Sequence, residues 1–193
     1  MKKNILLIFA AICSFVIVSA QTPYKLTAAK NMIKGTSTLH DWQCVVENQT
    51  GSATINASGK FSVSALKLEM DVKSIKSVKE DGSYYDESMD RNTYKALKAD
   101  AFPQIVYTLT NISNIKTNGK TSTFTAKGNL TVAETTKSIS FPVSAVVAGN
   151  QVVFTGRTKF KMSLFGIKPP TALMGTIKTG DEITLVLNTT FSK

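Results

Sequence analysis

Along most of this chain every second residue is apolar, and that period of two limits the fold more than any other feature. Thr121–Val132 places Phe124, Ala126, Gly128, Leu130 and Val132 on one side and Thr121, Thr123, Thr125, Lys127, Asn129 and Thr131 on the other. Successive side chains of an extended chain point to opposite faces, so such a run is a strand with one dry and one wet face. The alternation recurs through Leu66–Val72, Ile105–Leu109, Ile139–Val147, Val152–Met162 and Ile183–Leu187. Tyr24–Ile33 and Thr36–Glu47 read as two earlier strands, and Ser52–Ser58 with Lys60–Ile75 as a hairpin turning near Gly59. Asn118-Gly119 and Gly149-Asn150 supply the positive φ that hairpin turns need. About eight strands in hairpin-linked order must hide their edges, and closing into a ring does so. The expected fold is all-β, an antiparallel up-and-down β-barrel.

One stretch departs from this pattern. In Ser83–Pro103, Tyr85, Met89, Thr93 and Leu97 fall at four-residue steps with Ala96 beside them, which makes one helical face mostly apolar. Asp86, Glu87 and Asp90 near its start and Lys95 and Lys98 near its end suit the helix dipole. Pro103 is the expected stop. The spacing predicts one helix over about 84–99, laid over the barrel as a lid or plug.

A barrel of about eight strands is just wide enough to be filled by side chains or to hold one small ligand. Thr121–Val132 extends roughly 40 Å at ~3.3 Å per residue. The inward positions include small residues, Ala126, Gly128, Ala145 and Gly156, among the aromatics. These leave either a channel or a core of small and large partners. The pattern keeps both open. The segment Leu164–Gly180, with Pro169-Pro170, reads as a long loop suited to a dimer contact or to the barrel mouth.

The first twenty residues have the form of a secretory signal: Lys2 and Lys3, the apolar run Ile5–Val18, then Val18-Ser19-Ala20 before Gln21. Cys13 follows bulky Ile12, where lipid attachment wants a small residue, so the segment reads as a cleaved signal and not a lipoprotein anchor. The expected organisation is a signal over 1–20 and one barrel domain over 21–193, in the periplasm or secreted. Cys44 is then the one remaining cysteine, which excludes an internal disulfide and suggests a small buried apolar residue. Net charge is +10 for the whole chain and stays positive without Lys2 and Lys3. That surplus suits an anionic ligand or an acidic membrane surface. The lysines are spread rather than gathered in a stripe with aromatics, which argues against a nucleic-acid partner.

Catalytic chemistry finds little support. His40 is the chain's one histidine, so a site of several imidazoles is excluded, and Asp41 beside it points to the other face of a strand. His40 reads as a structural or ligand-orienting group near the barrel mouth. Asp81, Asp86, Glu87 and Asp90 lack the spacing and the mid-loop glycine of an EF-hand. No catalytic residue, metal site or cofactor is expected.

Four motifs together carry a family resemblance. Gly35-Thr36-Ser37-Thr38-Leu39-His40-Asp41-Trp42, Asp90-Arg91 through Phe102-Pro103-Gln104-Ile105, Gly128-Asn129-Leu130-Thr131-Val132 with Thr136-Lys137, and Phe165-Gly166-Ile167 occur in this order. In that order and spacing the chain resembles the YceI-like family of lipocalin-like, polyisoprenoid-binding barrels, in the form common in Bacteroidetes sequences. It departs from the pattern at Ala133-Glu134-Thr135, where a glycine is usual, and in lacking a second histidine downstream of His40. The resemblance implies an exported carrier that encloses a long apolar lipid, a polyisoprenoid or a quinone-like molecule, without cofactor or catalysis. Tyr107, Phe124, Phe141, Phe154 and Phe160 would then line the channel, with His40, Trp42 and Tyr85 near the lid. The other reading is a non-enzymatic barrel filled by its own side chains.

Overall fold

The computed structural model describes residues 22–193; the expected signal segment lies outside the described residues. The strands are β1 (Thr22–Ala29), β2 (Met32–Ser37), β3 (Trp42–Val46), β4 (Gln49–Asn56), β5 (Ser62–Asp71), β6 (Ile75–Val78), β7 (Gln104–Asn118), β8 (Thr121–Val132), β9 (Thr135–Ala148), β10 (Gln151–Lys161), β11 (Thr171–Ala172) and β12 (Ile177–Ser192), with helix α1 (Glu87–Ala96) between β6 and β7. All pairings are antiparallel, and the path β1-β4-β5-β7-β8-β9-β10-β12 closes on itself because β1 also pairs with β12. That closed ring of eight strands is the expected lipocalin-like barrel.

Three passes of the meander are each broken into two half-strands, and the breaks lie side by side. The first falls at Lys30–Asn31, inside the segment whose alternation reads as one strand. Buried Asn31 replaces the interrupted ladder there with its own amide. Its Nδ2 donates to Gln49 Oε1 at 2.6 Å, its Oδ1 accepts from the Asn188 N–H at 2.8 Å, and its carbonyl accepts from the Val46 N–H at 3.1 Å. At the neighbouring breaks Ser74 Oγ accepts from the Asn48 N–H at 2.9 Å and donates to the Asp71 carbonyl at 2.8 Å. Buried backbone groups need partners, so polar side chains mark the fold line.

The two halves of the barrel differ on either side of that line. On one side β1, β4 and β5 continue into β7 and the wall is complete. On the other, the sheet runs β12-β2-β3-β6 and ends at β6. Helix α1 lies against β6 at this end, and the backbone crosses the split where the Val72 N–H donates to the Pro103 carbonyl at 2.9 Å.

The complete half is packed. Ring centroids of Phe61 and Phe124, Phe124 and Phe154, and Phe154 and Phe191 lie 5.9, 6.5 and 5.7 Å apart, and Tyr107 sits 6.0 Å from Phe141. Gly128 is small because the Tyr107 ring lies across it; a Cβ there would come within 2.5 Å of that ring. In this half the inward small residues are partners of large ones and leave no channel.

Three expected boundaries need correction. Thr36–Glu47 is not one strand: β2 ends at Ser37 and β3 begins at Trp42, with His40 and Asp41 in the turn between them. The helix spans Glu87–Ala96 rather than about 84–99. Asp86 caps its start by accepting from the Met89 N–H at 2.8 Å. It ends where Lys98 turns to a φ of 53°, before Pro103 is reached. The loop Leu164–Gly180 holds the short strand β11 and the start of β12, with Thr171 paired to Lys178. Only two residues of each strand pair there, Thr171-Ala172 with Ile177-Lys178, too short a run for an alternation to show in the sequence.

Candidate functional site

Between α1 and the split half of the barrel lies a cavity of about 290 Å3. The helix contributes Met89, Thr93, Ala96 and Leu97, the face that four-residue spacing makes apolar. Its walls include Ile33, Trp42, Cys44, Ile75, Ile105, Val132 and Phe160, all on inward positions of their strands. Phe165 and Ile167 close one side; both are buried and flank Gly166, whose φ of 71° turns the chain inward. Apart from the family motif no sequence signal singles them out, because the same loop also carries apolar Leu164, Leu173, Met174 and Ile177. Met70, Leu130 and Leu185 form the floor and also border a second space of about 50 Å3 deeper in the barrel.

The residues expected to meet ligand are thereby divided. His40, Trp42, Tyr85 and Phe160 line the large cavity, whereas Tyr107, Phe124, Phe141 and Phe154 surround the small inner space. Trp42 lies flat on Gly35, where a Cβ would fall 2.2 Å from the indole, and its Nε1 donates to the Thr36 carbonyl at 2.9 Å. The ring is thus held as one wall of the cavity. His40 and Tyr85 stand at the solvent side, their rings edge to face at 5.7 Å. His40 Nδ1 is 2.6 Å from the Asp41 carbonyl, which can only accept, so Nδ1 carries the proton. Nε2 then accepts from the Tyr85 hydroxyl at 3.0 Å. Both imidazole nitrogens are engaged, and Leu39 and Tyr85, both exposed, mark where the cavity opens.

The lid is held by a buried carboxylate whose role the sequence did not reveal. Asp90, 2% exposed, faces β6 rather than solvent. Its Oδ1 accepts from the Ser77 N–H at 2.7 Å, while its Oδ2 accepts from the Tyr84 hydroxyl at 3.1 Å and sits 3.4 Å from Lys76 Nζ. Tyr94 adds a second tie, its hydroxyl 2.9 and 3.0 Å from the carbonyls of Lys73 and Ile75. At the far end Lys98 Nζ reaches Glu134 Oε1 at 2.5 Å, an exposed pair of little energetic weight. The pattern placed Asp90 among helix-start acids; only the fold puts β6 on its side of the helix.

Burial governs the ionisable groups inside. It raises the Cys44 thiol to about 12, with the Asp90 carboxylate adding to the effect. It raises the Tyr107 hydroxyl to about 12 as well. Cys44 is therefore a neutral wall group of the cavity. Among the described residues no cluster of histidine, cysteine and carboxylates could hold a metal, and no helix is long and apolar enough to cross a membrane.

Comparison with known proteins agrees with this architecture. The sequence pattern of the YceI-like domain matches residues 24–191. No curated protein matches the chain. Among solved structures, Burkholderia cenocepacia BcnA superposes with a TM-score of 0.64 at 15% identity, covering 83% of this chain and 95% of that one. A polyisoprenoid binding domain from Saccharophagus degradans, implicated in plant cell wall breakdown, gives 0.64 at 9% identity, covering 88% and 97%. A Campylobacter jejuni YceI protein gives 0.56 at 18% identity, covering 78% and 84%.

Proposed function

The chain belongs to the YceI-like family, and from that premise we propose that it is a lipid-binding protein whose cargo is a long apolar molecule of polyisoprenoid or quinone type. The observation that carries the reading is the cavity of about 290 Å3 walled by apolar side chains beneath an amphipathic helix. Its size stands at the lower edge of ligand pockets, roughly 300–1,000 Å3. Ten buried methylenes would contribute on the order of 8 kcal/mol before ordering costs, so no ionic contact is required. His40 and Tyr85 would orient the polar end at the opening, while the chain lies along Trp42, Met89 and Phe160. The deeper aromatics Tyr107, Phe124, Phe141 and Phe154 would then support the floor rather than touch most of the cargo.

Binding rather than catalysis is favoured by the cavity lining, which is mostly apolar, and by the partners of His40, a backbone carbonyl and the Tyr85 hydroxyl with no carboxylate among them. The proposal includes export to the periplasm or beyond, with cleavage before Gln21; a mature mass beginning at Gln21 in the cell envelope fraction checks that part.

Native mass spectrometry of the exported protein, followed by solvent extraction, tests the cargo. A stoichiometric adduct that extracts as a prenyl chain or quinone supports the reading. Ala96→Phe, which projects a ring from α1 into the cavity, should abolish the adduct and leave the urea midpoint near that of the parent. An apo mass that stays apo after incubation with total membrane lipid would mean that the barrel works as a closed structural module.

A further inference from the structure

We propose that the β11–β12 hairpin is a membrane-docking tip that seats the mouth of the cavity on an anionic lipid bilayer. The tip, Leu173–Gly175, joins β11 to β12 and is closed by the Thr176 N–H donating to the Leu173 carbonyl at 3.1 Å. Leu173 and Met174 both adopt left-handed backbone, at φ values of 46° and 54°, a conformation that non-glycine residues seldom enter even singly. The consequence is outward display: Leu173 is 72% exposed and Met174 fully exposed.

A third apolar residue stands beside the tip. The Thr38 N–H donates to the Lys178 carbonyl at 3.0 Å and the Lys178 N–H to Thr38 Oγ1 at 3.1 Å, which fastens the 38–41 turn against the hairpin. Leu39 in that turn is 65% exposed. Exposed Tyr85 lines the opening and meets His40 of the same turn at 3.0 Å, and tyrosines favour the boundary between water and lipid.

The charges specify the occupant. From Phe165 to Gly180 the chain has no acidic residue, and exposed Lys168 and Lys178 flank the tip. An apolar point between cations suits an anionic bilayer, into which Leu173 and Met174 insert while the lysines meet headgroups. The same hairpin supplies Pro170, Thr171, Ile177 and Thr179 to the cavity wall, so docking would bring the opening to the lipid. The purpose of docking rests on the lipid-binding reading; the docking itself is measured separately.

The test is flotation of the protein with vesicles of phosphatidylcholine and phosphatidylglycerol, beside vesicles of phosphatidylcholine alone. Binding is expected to the anionic vesicles and to weaken with salt. The double variant L173S/M174S should lose roughly 100-fold in partitioning, since each apolar side chain contributes about tenfold or more. Neither residue lines the cavity, so the variant should keep the parent's urea midpoint and its uptake of lipid delivered from detergent. K168Q/K178Q should erase the preference for anionic vesicles. Equal flotation of L173S/M174S and parent would overturn the proposal. So would no flotation of the parent, or a self-association abolished by L173S/M174S, which would assign the tip to a second copy of the chain. Flotation with no cargo uptake by either protein would instead remove the carrier reading and leave docking standing.

Discussion

Asp90 is where the lid can be released by one substitution. Asp90→Ala removes the acceptor for the buried Ser77 N–H and the partner of Lys76 and Tyr84 together. Leaving a buried N–H unsatisfied costs ~1–3 kcal/mol. Breaking a buried ion pair costs ~3–5 kcal/mol when the remaining charge stays buried. Here Lys76 keeps 34% exposure of its side chain and can turn to water, which places the total near the lower bound, about 3 kcal/mol. With a slope of about 2 kcal/mol/M in urea, the midpoint should fall by about 1.5 M. Asp90→Asn retains a carbonyl for the Ser77 N–H but sets an amide N–H2 where Oδ2 accepted from Tyr84 and faced Lys76, so it should cost less than Asp90→Ala, about 1–2 kcal/mol. Urea unfolding followed by circular dichroism measures both, and hydrogen exchange should show amides of α1 and β6 opening first in Asp90→Ala. A midpoint shift below about 0.5 M for Asp90→Ala would refute the clasp. Equal damage from Asn and Ala would show that the charge, not the backbone bond, holds the lid.

Two further substitutions or conditions separate the packed from the hollow half. Gly128→Ala drives a Cβ to 2.5 Å from the Tyr107 ring and should cost ~1–3 kcal/mol in urea unfolding; adding Tyr107→Leu should return part of that, a coupling a double-mutant cycle reads directly. Because burial lifts Cys44 from 9.0 to about 12, the unfolded chain releases a proton that the folded chain keeps between those values. Stability should therefore fall as pH rises from about 9 to about 12, and Cys44→Ala should flatten that slope; an unchanged slope would contradict a buried neutral thiol.

Period-two alternation was enough to determine antiparallel strands that each bury one face, and their hairpin-linked order pointed to a barrel because closure hides the edges of such a meander. The four-residue steps of Met89, Thr93 and Leu97 likewise determined which face of α1 turns inward. Three features were settled only in three dimensions. The fold line at Asn31 and Ser74 depends on hydrogen bonds to Gln49, Asn188, Asn48 and Asp71, some of them distant in sequence, and no local pattern records such partners. Asp90 became a clasp because β6 passes on its side of the helix. The division of the interior also required the fold: inward Phe124 and inward Phe160 have the same alternation, yet Phe124 packs between Phe61 and Phe154 beside a space of only about 50 Å3, while Phe160, with Phe165 on one side, borders the cavity of about 290 Å3. A strand's pattern states which way a side chain points, and only the closure of the opposite wall decides whether anything is there to meet it.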